Sequence, residues 1–181
     1  MKLIETKIKD LYILEPRVFG DDRGYFFESF NSQTFQELIG EEVEFVQDNQ
    51  SMSGENIVRG LHFQNPPFAQ GKLVRVIKGE VIDVAVDIRK DSPTYGEHVS
   101  VRLSGENNRM FWIPPGFAHG FSSLEEGTIF SYKCTNYYSK ESEGSVAWDD
   151  PELNINWGVE NPIISEKDQE SPLFRDLKSK F

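Results

Sequence analysis

Three histidines, His62, His98 and His119, are the side chains of this sequence best suited to moving a proton near neutral pH. Two of them sit in conspicuous surroundings, Arg59-Gly60-Leu61-His62-Phe63-Gln64 and Pro114-Pro115-Gly116-Phe117-Ala118-His119-Gly120-Phe121. An imidazole in such a place can act as a general base or as a metal ligand. His98, beside Glu97 in a different strand region, reads as a surface residue. The single cysteine, Cys134, has no activating base near it and reads as a buried thiol. Arg23, Arg59 and Lys72 are the cations that could make one cleft attractive to an anionic small molecule.

The rest of the composition limits what such a site could serve. A formal net charge of -11 repels nucleic-acid phosphates, which argues against DNA or RNA as a partner. No apolar run approaches bilayer length, and Met1–Asp10 mixes Lys and Glu with Ile and Leu, unlike a signal peptide. One cysteine rules out an internal disulfide framework and fits a reducing cytoplasm. The 181 residues suit a single domain with a C-terminal extension. Abundant Phe suits a β-rich core or a pocket that stacks planar ligands.

Short strand-like runs must position the histidines. Ile82, Val84, Val86 and Ile88 alternate with Asp83 and Asp87, a period of two. Lys78-Gly79, between that run and Lys72–Ile77, reads as a hairpin turn. Further strand candidates are Gly24–Phe30, Glu44–Met52, Ile57–Phe63, Val99–Leu103, Arg109–Ile113 and Thr128–Tyr132. Gly, Pro, Asn or Ser separates them at short intervals, as in a sandwich or barrel. One helix is predicted over Ser32–Ile39, with Asn31 or Ser32 as cap, capping-box spacing at Thr34 and Glu37, and Gly40 as the stop. The tail, with Pro151, Pro162 and Pro172, reads as irregular or weakly helical. The expected fold is all-β with small helical additions, a jelly roll in one domain.

Two motifs resemble cupin elements. Pro115-Gly116-Phe117-Ala118-His119 resembles the Pro-x-Gly-x-x-His turn that aims a histidine into the barrel. His62-Phe63-Gln64 resembles the cupin His-x-His, with Gln64 in place of the second histidine. Metal-binding cupins usually supply three histidines and a carboxylate. Two histidines therefore favour a site without metal.

A more specific resemblance spans nearly the whole chain. Phe19–Glu28, Phe45–Asn49 with Gln47 and Asp48, Arg59–Gln64, Gln70–Val76, Gly79–Arg89, Pro115–Phe121, Tyr132–Tyr138, Trp148–Asp150 and Ile164–Asp168 resemble, in order, segments of the dTDP-4-dehydrorhamnose 3,5-epimerase family. The resemblance implies a dTDP-4-keto-6-deoxy sugar substrate, no cofactor and a homodimer whose N-terminal strand region, lacking a partner strand of its own, reaches a neighbouring site. It implies that His62 is the base, supported by Asp168, that Tyr132 is the acid on the opposite face, and that Lys72 stabilises an enolate oxygen. Arg23, Glu28, Gln47, Asp48, Asn49, Arg59, His119, Glu143 and Lys167 would then bind sugar and diphosphate, with Phe19, Phe26 and Tyr138 near the nucleobase.

That chemistry suits the residue types. A 4-keto sugar is acidic at both C3 and C5, so one base on one ring face can serve both centres. Inversion needs a proton donor on the other face, and no net electrons move. By pattern alone the alternatives stay open. Tyr132 after Ile129-Phe130-Ser131 equally suits a core tyrosine, Lys72 a strand end, Asp168 a helix start, Arg23 a turn, and Glu28 and Glu143 exposed charges. Competing functions are a 3- or 5-only epimerase, a 3,4-ketoisomerase, a metal-dependent cupin oxygenase and a sugar-binding module. Gln64 counts against the oxygenase, and the joint presence of His62, Asp168, Lys72 and Tyr132 against the binding module.

Overall fold

The period-two runs become strands in the computed structural model, which describes residues 1–181. In chain order these are β1 (Lys2–Glu5), β2 (Tyr12–Glu15), β3 (Phe19–Asp21), β4 (Gly24–Phe26), β5 (Gln47–Ser53), β6 (Val58–Gln64) and β7 (Lys72–Lys78). There follow β8 (Glu80–Asp87), β9 (His98–Ser104), β10 (Met110–Ile113), β11 (Phe117–Ser123), β12 (Thr128–Cys134) and β13 (Glu143–Ser145). Two helices, α1 (Ser32–Ile39) and α2 (Glu166–Gln169), and a 3-10 turn at Phe174–Asp176 complete the chain. No helix is long and apolar enough to cross a membrane.

The strands form a six-stranded sheet, β1-β2-β10-β7-β12-β5, facing a five-stranded sheet, β13-β6-β11-β8-β9. Every pairing within them is antiparallel. This is the jelly roll of the cupin type. Val74, Val76, Val81, Ala85, Phe111, Phe117, Phe121 and Phe130 fill one end of the space between the sheets. Burying a side chain of this size contributes about 1.5–3 kcal/mol. The other end carries polar side chains and stays open.

Both sheets are also covered on parts of their outer faces, which explains why several strands read as almost wholly apolar. Leu61, Phe63, Val84, Val86 and Ile88 pack beneath Val146, Leu153, Trp157 and Phe174 of the C-terminal region. The tail is therefore irregular in backbone but part of the core. On the six-stranded sheet, Phe35 of α1 packs against Trp112, Phe30 and Phe45, with ring centroids 5.2–6.0 Å apart.

Local chemistry sets α1 as expected, with one correction. The Asn31 side chain accepts the Thr34 N–H at 3.0 Å, and Gly40 ends the helix in a left-handed conformation, φ 74°. The capping box at Thr34 and Glu37 does not form, because Thr34 lies inside the helix and Glu37 accepts from Gln33 instead.

Three further expectations are corrected. Lys78-Gly79 is not a hairpin: β7 and β8 belong to different sheets, and the chain turns a corner between them. There Gly79 has φ 80°, and a Cβ would lie 2.3 Å from Thr128 Oγ1. β11 was expected only as a turn and a histidine, but it runs through Phe117–Ser123 as a fully buried strand between β6 and β8. Lastly, the N-terminal strands have partners of their own, β1 with β2 and β2 with β10. Only the β3–β4 hairpin stands apart, paired with itself, and its strand residues are all exposed.

Candidate active site

A cavity of about 590 Å³ opens at the polar end between the sheets, lined by Asn49, Arg59, His62, Lys72, His119 and Tyr132 among others. A neighbouring cavity of about 200 Å³ shares Asn49, His62, Lys72 and Tyr132 and adds Gln47, Tyr138 and Glu143. Strand alternation explains part of this lining: Lys72 shares the inward face of β7 with the core residues Val74 and Val76, and Tyr132 shares that of β12 with Phe130. Arg59 and His62 break the rule, since residues three apart on a regular strand face opposite ways. The register supplies the reason, because His119 pairs with His62 while Phe121 pairs with Arg59, leaving one extra residue on β6. That bulge turns both side chains to the cavity. Gly60 makes it possible, with φ 119° and no room for a Cβ, which would sit 2.6 Å from Gly120 Cα.

His62 Nε2 lies 2.6 Å from Asp168 Oδ1, and Asp168 Oδ2 accepts the Gly60 N–H at 3.3 Å. Burial alone would raise the Asp168 pKa, but the hydrogen bonds from His62, Gly60 and Ser165 hold it below the usual carboxylate range. An ionised carboxylate only accepts, so Nε2 carries the proton of that contact, and Nδ1 is the ring nitrogen left to act as a base. The His62 side chain is 31% exposed and so open to a ligand, whereas Asp168 is 5% exposed.

Tyr132 faces His62 from the opposite sheet. Burial raises its pKa, aided by Cys134 and opposed by Arg59, so the phenol keeps its proton at working pH. Lys72, with its Nζ 6.0 Å from the Tyr132 ring centroid, makes no ion pair. Burial lowers its pKa, while Cys134, Asp83 and Glu143 act to raise it. Deeper in, His119 Nε2 lies 2.9 Å from Asp83 Oδ2. Burial pushes His119 down more than Asp83 pulls it up, which leaves a neutral imidazole donating to Asp83.

The rim is built from amides and ion pairs. The Tyr138 N–H donates to Gln47 Oε1 at 3.2 Å, Gln47 Nε2 to Asn49 Oδ1 at 3.1 Å, and Asn49 Nδ2 to Cys134 Sγ at 3.6 Å. This chain fixes which end of each amide faces the cavity. Arg59 donates to Ser53 Oγ at 3.1 Å. Gln64, at the position of the missing histidine, donates to Phe68 and Tyr137 carbonyls and accepts the Ser139 N–H at 2.6 Å. Its amide is spent on holding loops. No group of three or more His, Cys, Asp or Glu side chains converges in a way that could hold a metal ion.

The sequence matches the family profile described as dTDP-4-dehydrorhamnose 3,5-epimerase over residues 5–176. The chain belongs to that family. It is 60% identical to the dTDP-4-dehydrorhamnose 3,5-epimerase of Salmonella typhimurium, over 96% of this chain and 95% of that one. It is 55% identical to the Shigella flexneri enzyme of the same name, over 97% of each. Among solved structures, the Legionella pneumophila dTDP-6-deoxy-D-glucose-3,5-epimerase RmlC in complex with dTDP-4-keto-L-rhamnose is 50% identical, with a TM-score of 0.94 over 97% of this chain and 94% of that one.

Of the residues the family resemblance implicates, His62, Lys72, Tyr132, Asp168, Asn49, Arg59, His119 and Lys167 line the larger cavity, and Gln47, Tyr138 and Glu143 the smaller. Asp48 does not join them. It alternates to the outer face of β5 and pairs with Lys133 at 3.0 Å. Phe19, Arg23, Phe26 and Glu28 also line neither cavity. Phe19, Arg23 and Phe26 lie on the exposed β3–β4 hairpin, where Arg23 pairs with Asp21, and Glu28 follows β4 and accepts from Asn31. Sequence reasoning missed Asp83, the partner of His119. A carboxylate on the same strand face as Val81 and Ala85 was its signal, because a buried acid needs a partner.

Proposed function

We propose that this chain converts dTDP-4-dehydro-6-deoxy-D-glucose to dTDP-4-dehydro-L-rhamnose by inverting C3 and C5, without a cofactor. The observation that carries this reading is the placement of His62, backed by Asp168, and Tyr132 on opposite sheets of one cavity. His62 Nδ1 takes a proton from the carbon beside the keto group, and the C–H electrons move onto the keto oxygen. Lys72 stabilises that oxygen as charge develops, an effect worth about two to three powers of ten in rate. Tyr132 then gives its phenolic proton to the same carbon from the other face. The carbonyl re-forms as the electrons return to carbon. His62 releases its proton to water and Tyr132 regains one from water, and the reset pair repeats the cycle at the second carbon to complete the double inversion.

Arg59 and Lys167 are cations suited to the diphosphate, and Gln47 and Asn49 present oriented amides to sugar hydroxyls. Phe19, Arg23, Phe26 and Glu28 enter through a homodimer, in which the exposed hairpin of one copy caps the cleft of the other. Phe19 is 51% and Phe26 70% exposed in the single chain, so the hairpin has apolar surface left to bury. A reducing cytoplasm suits a chain whose lone cysteine is buried and unpaired.

The test is NMR of the sugar product after reaction in deuterated water. Deuterium and inversion at both C3 and C5 support the reading. Exchange or inversion confined to one carbon replaces it with a single epimerase.

A further inference from the structure

Gln64 stands on β6 two residues after His62, where the cupin pattern has its second histidine. The residue is 6% exposed, and its amide makes three hydrogen bonds, all to backbone. Nε2 donates to the Phe68 carbonyl at 2.7 Å and to the Tyr137 carbonyl at 3.1 Å, while Oε1 accepts the Ser139 N–H at 2.6 Å. Two carbonyls and one N–H call for two donors and one acceptor on a single side chain. A primary amide supplies that set, whereas a neutral imidazole has one donor and one acceptor. Glutamine in the place of histidine is therefore fitted to gripping backbone.

The three bonds join two connections between strands. Phe68 belongs to the loop from β6 to β7, and Tyr137 and Ser139 to the loop from β12 to β13. In the second loop Gln64 holds the groups on either side of Tyr138, and Gln47 Oε1 of β5 accepts the Tyr138 N–H itself at 3.2 Å. Three consecutive residues are thus fixed through their backbone by two amide side chains. The Tyr138 side chain is the opposite case. Tyr138 is 56% exposed and borders the smaller cavity beside His62 and Lys72. An open ring on a pinned backbone suits a planar ligand, since a tyrosine with few rotatable bonds loses little freedom on stacking. Unpaired buried carbonyls and N–H groups are costly, so the loop's placement depends on the Gln64 amide.

We propose that Gln64 is a positioning residue for ligand recognition: it sets the loop so that the Tyr138 ring is presented to the base of a nucleoside diphosphate. The inference rests on the epimerase reading and deepens it, because it names the group that orders one wall of the binding cleft. Gln64 acts on binding, since its side-chain bonds run to the loops and none reaches His62, Lys72, Tyr132 or Asp168.

The experiment reads binding apart from turnover. Calorimetry with dTDP gives a dissociation constant, steady-state rates give KM and kcat, and thermal melts confirm folding. Gln64→Met keeps the side-chain length and makes none of the three bonds. Gln64→Glu keeps an acceptor for the Ser139 N–H and has no donor for the two carbonyls. Each is expected to weaken dTDP binding and raise KM about tenfold, with a smaller fall in kcat. Tyr138→Leu removes the ring and weakens dTDP binding to a similar degree. Gln64→Met/Tyr138→Leu then binds dTDP as Tyr138→Leu does, because the loop's placement matters only while it carries the ring. In NMR of the free protein, the Ser139 amide proton exchanges with solvent faster in Gln64→Met than in the parent. A folded Gln64 variant with parental dTDP affinity overturns the proposal. So does additive loss in the double variant, or a fall in kcat with KM unchanged. If Gln64→Met fails to fold, Gln64→Glu carries the same test. A parent protein that binds dTDP without epimerising overturns the functional reading and leaves the positioning test standing, and one that binds no dTDP overturns both.

Discussion

His62 and Asp168 are 106 residues apart in sequence, yet their side chains meet at 2.6 Å inside one cleft. The contact joins a strand of the five-stranded sheet to a four-residue helix in the C-terminal region, and the β6 bulge adds a second bond through the Gly60 N–H. Asp168→Asn keeps the shape and removes the charge that orients and supports the imidazole. It is expected to lower kcat by roughly two to four powers of ten, with KM little changed. Steady-state rates and circular dichroism together check this.

Stability is expected to fall on acidification in two stages. His119 is held neutral, its pKa below the ordinary 6.5, so the stability it contributes is complete above about pH 6.5 and is lost as pH falls through its folded value. Asp87 and Asp168 have folded pKa values below the ordinary 3.8, so their contribution is complete above about pH 4 and is lost below that. For Asp87, burial opposes ionisation, but Arg89, Ser92 and Thr94 outweigh it. Asp87→Asn should cost about 3 kcal/mol at pH 7 and flatten the decline below pH 4. Thermal melts from pH 7 to pH 3 on both proteins test this.

Arg23 is 90% exposed in the single chain and lies outside the cleft. If it clamps the diphosphate across a subunit boundary, it binds ground and transition states alike. Arg23→Ala is then expected to raise KM about tenfold or more with a smaller change in kcat. Light scattering should give twice the 20.8 kDa chain mass at micromolar concentration. A monomer mass contradicts the assembly.

The parts of the fold legible in the sequence were those with local causes. Asn31 and Gly40 bracket α1 because capping is decided within a few residues, and the alternation in β8 is plain. β11 was hidden because Phe117–Ser123 is buried on both faces and therefore shows no alternation. The corner at Gly79 looked like a hairpin because a short Gly turn does not reveal whether the next strand pairs or crosses to another sheet. Motifs carried His62 and His119, and the resemblance carried Asp168, Lys72 and Tyr132. The resemblance could not distinguish Asp48 from its neighbours, although alternation separates it from Gln47 and Asn49. Asp83 was missed because its reason is His119, 36 residues further on.

Tyr132 carries the claim that the two ring faces are served by different groups, and Tyr132→Phe tests it most directly. The variant keeps the ring and loses the donor, so the enolate still forms but must be reprotonated from the face it came from. After reaction in deuterated water, product NMR is expected to show deuterium at C3, C5 or both, with little or no inversion there. A folded Tyr132→Phe protein that inverts both carbons at the parental rate would contradict the account.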